Sequence, residues 1–250
     1  MIPNLLLRYE SIERLEPDYR DTLKSIYRHV GQSYSIFHNE LIKKIYKENI
    51  VGQHDFGKFH VRILTGNITK QFHECIFNPA NNDPVSKSIF KEGGSDYLER
   101  QYMLKLSLSE EYKATNGGYV CYTETKDVIN NKLKARYILH EFGTNWRKES
   151  INNSDPIDKA EILKRLIDNI IIKAGELSCI SVVVPLTISD IDKLGTSFSI
   201  MLDRIISKLE LNHIHNIRWF DIVLPAKLSQ KASQCKREFR ETLQKHSWIF

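Results

Sequence analysis

Val61-Arg-Ile-Leu-Thr-Gly-Asn-Ile-Thr69, followed by Glu74-Cys-Ile-Phe-Asn-Pro-Ala-Asn-Asn82, is the stretch whose reading decides the fold. Residues Phe59–Leu64 alternate between apolar and polar side chains, the period-two pattern of a half-buried strand. The strand runs into Gly66-Asn67-Ile68-Thr69, which places a polar side chain and unpaired backbone groups at its carboxyl end. A second short apolar strand, Cys75-Ile76-Phe77, delivers Asn78 and Asn81 to the same edge. In open α/β sheets ligands bind there, in the crevice beyond the strand ends. Asparagine both donates and accepts, which suits ribose hydroxyls or a purine edge. The same Asn and Pro residues also serve simply to turn a chain. Local chemistry leaves both readings open.

Downstream, helices and strands alternate. Ser86–Lys91 and Asp96–Leu106 read as helices separated by the stop Gly93-Gly94. Tyr119–Tyr122 and Arg136–Phe142 read as strands. Asp155-Pro156 opens a long helix, Ile157–Ala174, which turns Ile162, Leu163, Leu166 and Ile170 inward and stops at Gly175. Cys179–Val184 is the most apolar strand, bounded by Pro185. A helix over Ser197–Leu209, a strand over Ile217–Leu224 and a closing helix over Lys227–Lys245 complete the chain. This alternation predicts a three-layer α/β domain over residues 58–250, a mixed sheet flanked by helices. Residues 1–57 read instead as an N-terminal helical segment. Tyr19, Leu23, Ile26, Tyr27 and Val30 share one helical face, and Phe37, Leu41, Ile42, Ile45 and Tyr46 share another.

Composition narrows the function classes. With 41% hydrophobic residues among 250, the chain holds enough apolar surface for a core, which excludes wholesale disorder. No apolar run reaches the roughly 18 residues of a membrane span, and Met1-Ile2-Pro3-Asn4 lacks the basic start of a leader. The four cysteines, at 75, 121, 179 and 235, form no CxxC, so neither a zinc site nor a disulfide framework is expected. A reduced intracellular compartment, cytoplasmic or nuclear, is the expectation. The net charge of +5 is not spread evenly. Residues 59–225 carry 21 basic and 21 acidic side chains, whereas residues 226–250 carry six and two. Lys227, Lys231, Lys236, Arg237, Arg240 and Lys245 therefore make the closing helix basic, either a solvated face or a nucleic-acid contact. His140-Glu141 lacks the second histidine of a zinc-protease helix, and Ser189 lacks the glycines of a nucleophile elbow. No metal, cofactor or catalytic group is assigned.

The order of these motifs over residues 59–224 resembles the macro domain family, the ADP-ribose-binding modules. Gly66-Asn67-Ile68-Thr69 stands where the family has Gly-Asp-Ile-Thr, and Asn78-Pro79-Ala80-Asn81 where it has Asn-Ala-Ala-Asn. Ser88–Gly94 is similar to the helix after the ribose loop. Arg136–Trp146 is similar to the strand ending in Ile-His and a Gly-x-x-Trp turn, and Ser181–Pro185 to the strand before the second phosphate loop. The resemblance implies a macro-domain-like fold whose ligand-binding residues are Asn67, Ile68, Asn78, Asn81 and Ser189. Asn67 and the Ile68 backbone N–H would meet the base, and Asn81 the ribose. The chain also departs from the family. Asn67 replaces the aspartate that accepts from the adenine amino group. Asn82-Asp83-Pro84 replaces the glycine triplet around the diphosphate, and Ile188–Gly195, with Asp190 and Asp192, replaces a glycine-rich phosphate loop. Without the glycine triplet a hydrolytic water has no scaffold, and asparagine is no general base. The expectation is a noncatalytic binding module for ADP-ribose or an ADP-ribosylated partner, of weak or altered affinity. The alternatives are a protein-interaction scaffold that has lost nucleotide binding, a nucleic-acid-binding module using the C-terminal helix, and, against the loop changes, an ADP-ribosyl hydrolase.

Overall fold

The computed structural model describes residues 50–79, 84–108, 118–125, 130–142, 156–186, 194–211 and 216–246. They lie in one compact unit beginning at Ile50. The helical segment expected before residue 50 lies outside the described residues. Among the described residues seven strands make one sheet: β1 (Ile50–Asp55), β2 (His60–Gly66), β3 (Cys75–Asn78), β4 (Tyr119–Glu124), β5 (Tyr137–Phe142), β6 (Ser181–Pro185) and β7 (Trp219–Pro225). Their order is β1-β2-β7-β6-β3-β5-β4. The five inner strands are parallel, while β1 and β4 run antiparallel to β2 and β5 at the two edges. The expected mixed sheet is present. It includes a further edge strand, β1, from Ile50.

Five described helices flank it: α1 (Pro84–Glu92), α2 (Ser95–Leu108), α3 (Pro156–Glu176), α4 (Leu194–Leu211) and α5 (Ala232–His246). A 3-10 turn, Ala226–Lys231, precedes α5, so the closing helix proper starts later than the sequence suggests. The direction of travel along the sheet decides which face each connection covers, because parallel crossovers are right-handed. Steps from β5 to β6 and from β6 to β7 run one way and put α3 and α4 on one face. The step from β2 to β3 runs the other way and crosses the opposite face, where α1 and α2 also pack.

The first face has a continuous apolar core. Val61, Ile63, Val182, Val184, Phe220, Ile222 and Leu224 alternate toward α3 and α4 and meet Leu166, Ile170, Phe198, Leu202 and Ile205 in one cluster. From α5, Cys235 and Phe239 join the same cluster. On the surface, Arg204 of α4 grips Asp168 of α3 through Nε–H to Oδ1 at 2.7 Å. The second face carries Leu64, Ile76, Ile138, Val183 and Val223 under Ile89, Phe90 and Leu98, and polar side chains run through it.

Candidate functional site

The adjacent strands β3 and β6 send their chains away in opposite directions, β3 toward β5 and β6 toward β7. Their carboxyl ends therefore flank a topological switch point, the place where open α/β sheets leave a crevice. Three segments border it: the turn after β2, the end of β3 with the start of α1, and the end of β6. Residues 80–83 and 187–193 lie outside the described residues. Asn81 and Ser189 are among them.

Gly66 ends β2 at φ +142°, a conformation that side-chain-bearing residues rarely adopt, and turns the chain into a 3-10 turn, Ile68–Lys70. Asn67 caps that turn. Its Oδ1 accepts from Thr69 N–H at 3.0 Å and from Thr69 Oγ1–H at 3.0 Å. Two donors occupy the two lone pairs of the amide oxygen, which also fixes which way the amide points. Asn67 is exposed, and its remaining side-chain group for a ligand is the amide NH2, a donor. Its carbonyl oxygen accepts from Gln71 Nε2–H at 3.0 Å, which closes the turn on itself. Ile68 is buried beneath the turn.

Asn78, at the end of β3, is buried. Its Nδ2–H donates to His140 Nδ1 at 3.0 Å, so the ring proton sits on Nε2 and donates to Thr123 Oγ1 at 2.7 Å. His140 is fully buried between Phe90 and Tyr102, whose ring centroids lie 5.7 and 4.8 Å away. Burial raises the Tyr102 hydroxyl above its usual range, and that hydroxyl donates to Glu141 O at 2.9 Å. This relay makes His140 a structural link across β3, β5 and β4. The oxygen of Asn78 is left over: Oδ1 is buried without a partner. So are Gln71 Oε1, beside the 3-10 turn, and Ser86 Oγ, in the first turns of α1. Each lies on a segment bordering the switch point, and buried polar atoms are ordinarily paired.

Sequence reading did not single out a second polar group on the same face. Arg62 of β2 and Asp221 of β7 are register neighbours. Arg62 donates through Nε–H to Asp221 Oδ1 at 2.8 Å and through Nη2–H to Oδ2 at 2.6 Å. His73 Nε2–H donates to the same Oδ2 at 2.8 Å. All three are at most 2% exposed. Burial alone pushes the Asp221 carboxyl up, but Arg62 and then His73 outweigh it and hold the group at about 2. The Arg62 guanidinium also lies 4.4 Å from the centre of the Trp219 ring. Asp221 alone could have signalled this group: a carboxylate inside the apolar run Trp219–Leu224 requires a partner.

The basic residues of α5 divide. Lys236, Arg237, Arg240 and Lys245 are exposed, and Lys231 is half-buried. The Lys227 side chain lies outside the described residues. Among the described residues no three His, Cys, Asp or Glu side chains gather as a metal site, and no helix is long and apolar enough to cross a membrane.

No family model matches the sequence. An uncharacterized protein of Thermotoga maritima is 25% identical over 171 residues, which is 63% of this chain and 26% of that protein. The chain thus spans about a quarter of the length of the curated relative it matches. Among solved structures, the Oceanobacillus iheyensis macrodomain with ADP aligns at a TM-score of 0.59 and 22% identity, over 80% of this chain and 97% of that one. A mutant of that macrodomain with ADPR aligns at 0.57 and 20% identity, over 77% and 96%. The macro domain of ganglioside induced differentiation associated protein 2 aligns at 0.51 and 22% identity, over 70% and 80%. The fold is that of a macro domain.

Proposed function

We propose that this chain, built on the macro domain fold, is a noncatalytic binding module for ADP-ribose or an ADP-ribosylated protein. The observation that carries the reading is the edge at the switch point, where the capped turn at Asn67 and the unpartnered buried oxygen of Asn78 stand on strands that border one crevice. Macrodomains of the same fold have been solved with ADP and with ADPR. The base meets Asn67 and the backbone of Ile68, the ribose meets Asn81, and Asn78 and Ser189 complete the lining. Hydrolysis is not part of the reading: Asn82-Asp83-Pro84 offers no glycine backbone to hold a diphosphate and its attacking water. Asp190 and Asp192 oppose phosphate, which weakens affinity without abolishing the base and ribose contacts.

Calorimetry with free ADP-ribose tests this. Saturable binding is expected, with Asn81→Ala weakening it by about 1–2 kcal/mol because buried ligand hydroxyls lose a partner. A folded chain that takes up no ADP-ribose is instead a protein-interaction scaffold. Multiple turnover of an ADP-ribosylated protein would make it a hydrolase. A second reading has its own observation: Lys236, Arg237 and Arg240 share the exposed side of α5, while Cys235, Phe239 and Thr242 are buried. Nucleic-acid binding there would weaken steeply with salt and vanish when all three are changed to Glu.

A further inference from the structure

The connection from β2 to β3 has to pass two strands, because β7 and β6 lie between them in the sheet. It also has to travel from the carboxyl end of β2 to the amino end of β3, so residues 67–74 run diagonally across the second face. Each strand passed supplies an anchor. β7 supplies Asp221, which accepts from His73 at 2.8 Å. The start of β6 supplies Ser181, whose Oγ accepts from Glu74 N–H at 2.9 Å, while Ile180 N–H donates to Glu74 Oε2 at 2.6 Å. Glu74 therefore fixes the far end. The Gln71 side chain bonds back to Asn67 and ties the turn to itself, not to the sheet.

We infer that His73 is a positioning residue for the ligand edge: by bonding the diagonal connection to Asp221 it sets where the turn Asn67–Gln71 stands over the sheet. Asp221 is a rigid acceptor for this purpose, held by two hydrogen bonds from Arg62. The ring also does something a space-filling side chain would not. Its Nδ1 is buried without a partner, and burying an unpaired polar atom is unfavourable. An apolar residue would fill the volume without that penalty, so what the imidazole adds is its Nε2 bond. The effect on affinity rests on the binding reading above; the effect on the free turn does not.

The test uses the full chain with His73→Leu, His73→Asn and His73→Gln. Gln carries its Nε2 about as far as the ring does, whereas Asn is too short to reach Asp221. Amide hydrogen exchange at Thr69 and Gln71, measured without ligand, is expected to rise about tenfold in the Leu and Asn variants relative to Phe220 and Ile222 and to return toward the native rate in Gln. ADP-ribose affinity is expected to follow the same order, with a loss of about tenfold in Leu and Asn. If Leu fails to fold, the Asn and Gln pair decides. Equal exchange at Thr69 and Gln71 in Asn and Gln overturns the inference. A native chain that binds no ADP-ribose overturns the functional reading and leaves the exchange contrast to decide the role of His73.

Discussion

Phe220 and Asp221 are consecutive residues of β7, both fully buried, and they face opposite sides of one sheet. Phe220 enters an apolar cluster to which three helices and the neighbouring strands contribute. Asp221 enters a face where its carboxylate binds a guanidinium and an imidazole. The first face is held by area and packing, which act at any pH and tolerate shape-preserving exchange. The second is held by partners that must all be present at once, because a buried charge that loses its partner is strongly unfavourable. The polar face is also the one crossed by the connection that forms the candidate site. Helices merely covering a sheet need only an apolar stripe. An irregular segment laid across it has backbone and side-chain polar groups that need fixed partners.

Substituting the two neighbours separates the two faces. Phe220→Ala and Asp221→Asn are each expected to destabilise the chain by about 3–5 kcal/mol, the first through a cavity and the second by stranding Arg62. Urea denaturation at neutral pH measures both, and a mild effect of Asp221→Asn would mean that the polar group contributes little. Their acid behaviour should then separate. The Asp221 carboxyl is lowered from 3.8 to about 2 in the folded chain. A depressed folded value stabilises above the unfolded value and is lost as pH falls through the folded one. About 2 kcal/mol should therefore disappear between about pH 4 and pH 2. Phe220→Ala should keep this dependence and Asp221→Asn should lack it. Gly66→Ala, at φ +142°, should be unfavourable by about 1–3 kcal/mol and should weaken ADP-ribose binding as well. The smallest effect concerns the free end of the Asn67 amide. Asn67→Asp keeps one oxygen for the Thr69 cap and turns the other group from donor to acceptor. It should tighten ADP-ribose binding by about 0.5–1.5 kcal/mol, read by calorimetry.

Much of the layer architecture was legible because buried strands and amphipathic helices differ in period. Cys179–Val184 and Ile217–Leu224 announce themselves by apolar content, and the structure places β6 and β7 within one residue of those bounds at their carboxyl ends. β1 was not legible. Ile50-Val-Gly-Gln-His-Asp55 offers two adjacent apolar residues in six and no alternation, and an edge strand with exposed Gln53, His54 and Asp55 needs no more. Arg62 was read in a half-buried alternation, and its burial depends on Asp221, 159 residues later, which no local window contains. At the candidate site, the turn at Gly66-Asn67 was visible as chemistry. That Asn67 already uses its oxygen within the turn was not, because the cap depends on backbone geometry.

The strand order carries a consequence for how the chain is made. β2 pairs with β1 on one side and with β7 on the other, and β7 is the last strand in sequence among the described residues. Until residues 219–225 are available, β1 and β2 form a hairpin detached from the block β6-β3-β5-β4. A chain growing from its amino end therefore holds two incomplete sheets between the appearance of β5 and that of β7. Closure comes in one late, long-range step that inserts β7 between them and brings Asp221 to Arg62. Such a topology favours slow folding, and removing the last thirty-odd residues would split the sheet in two and not merely shorten it.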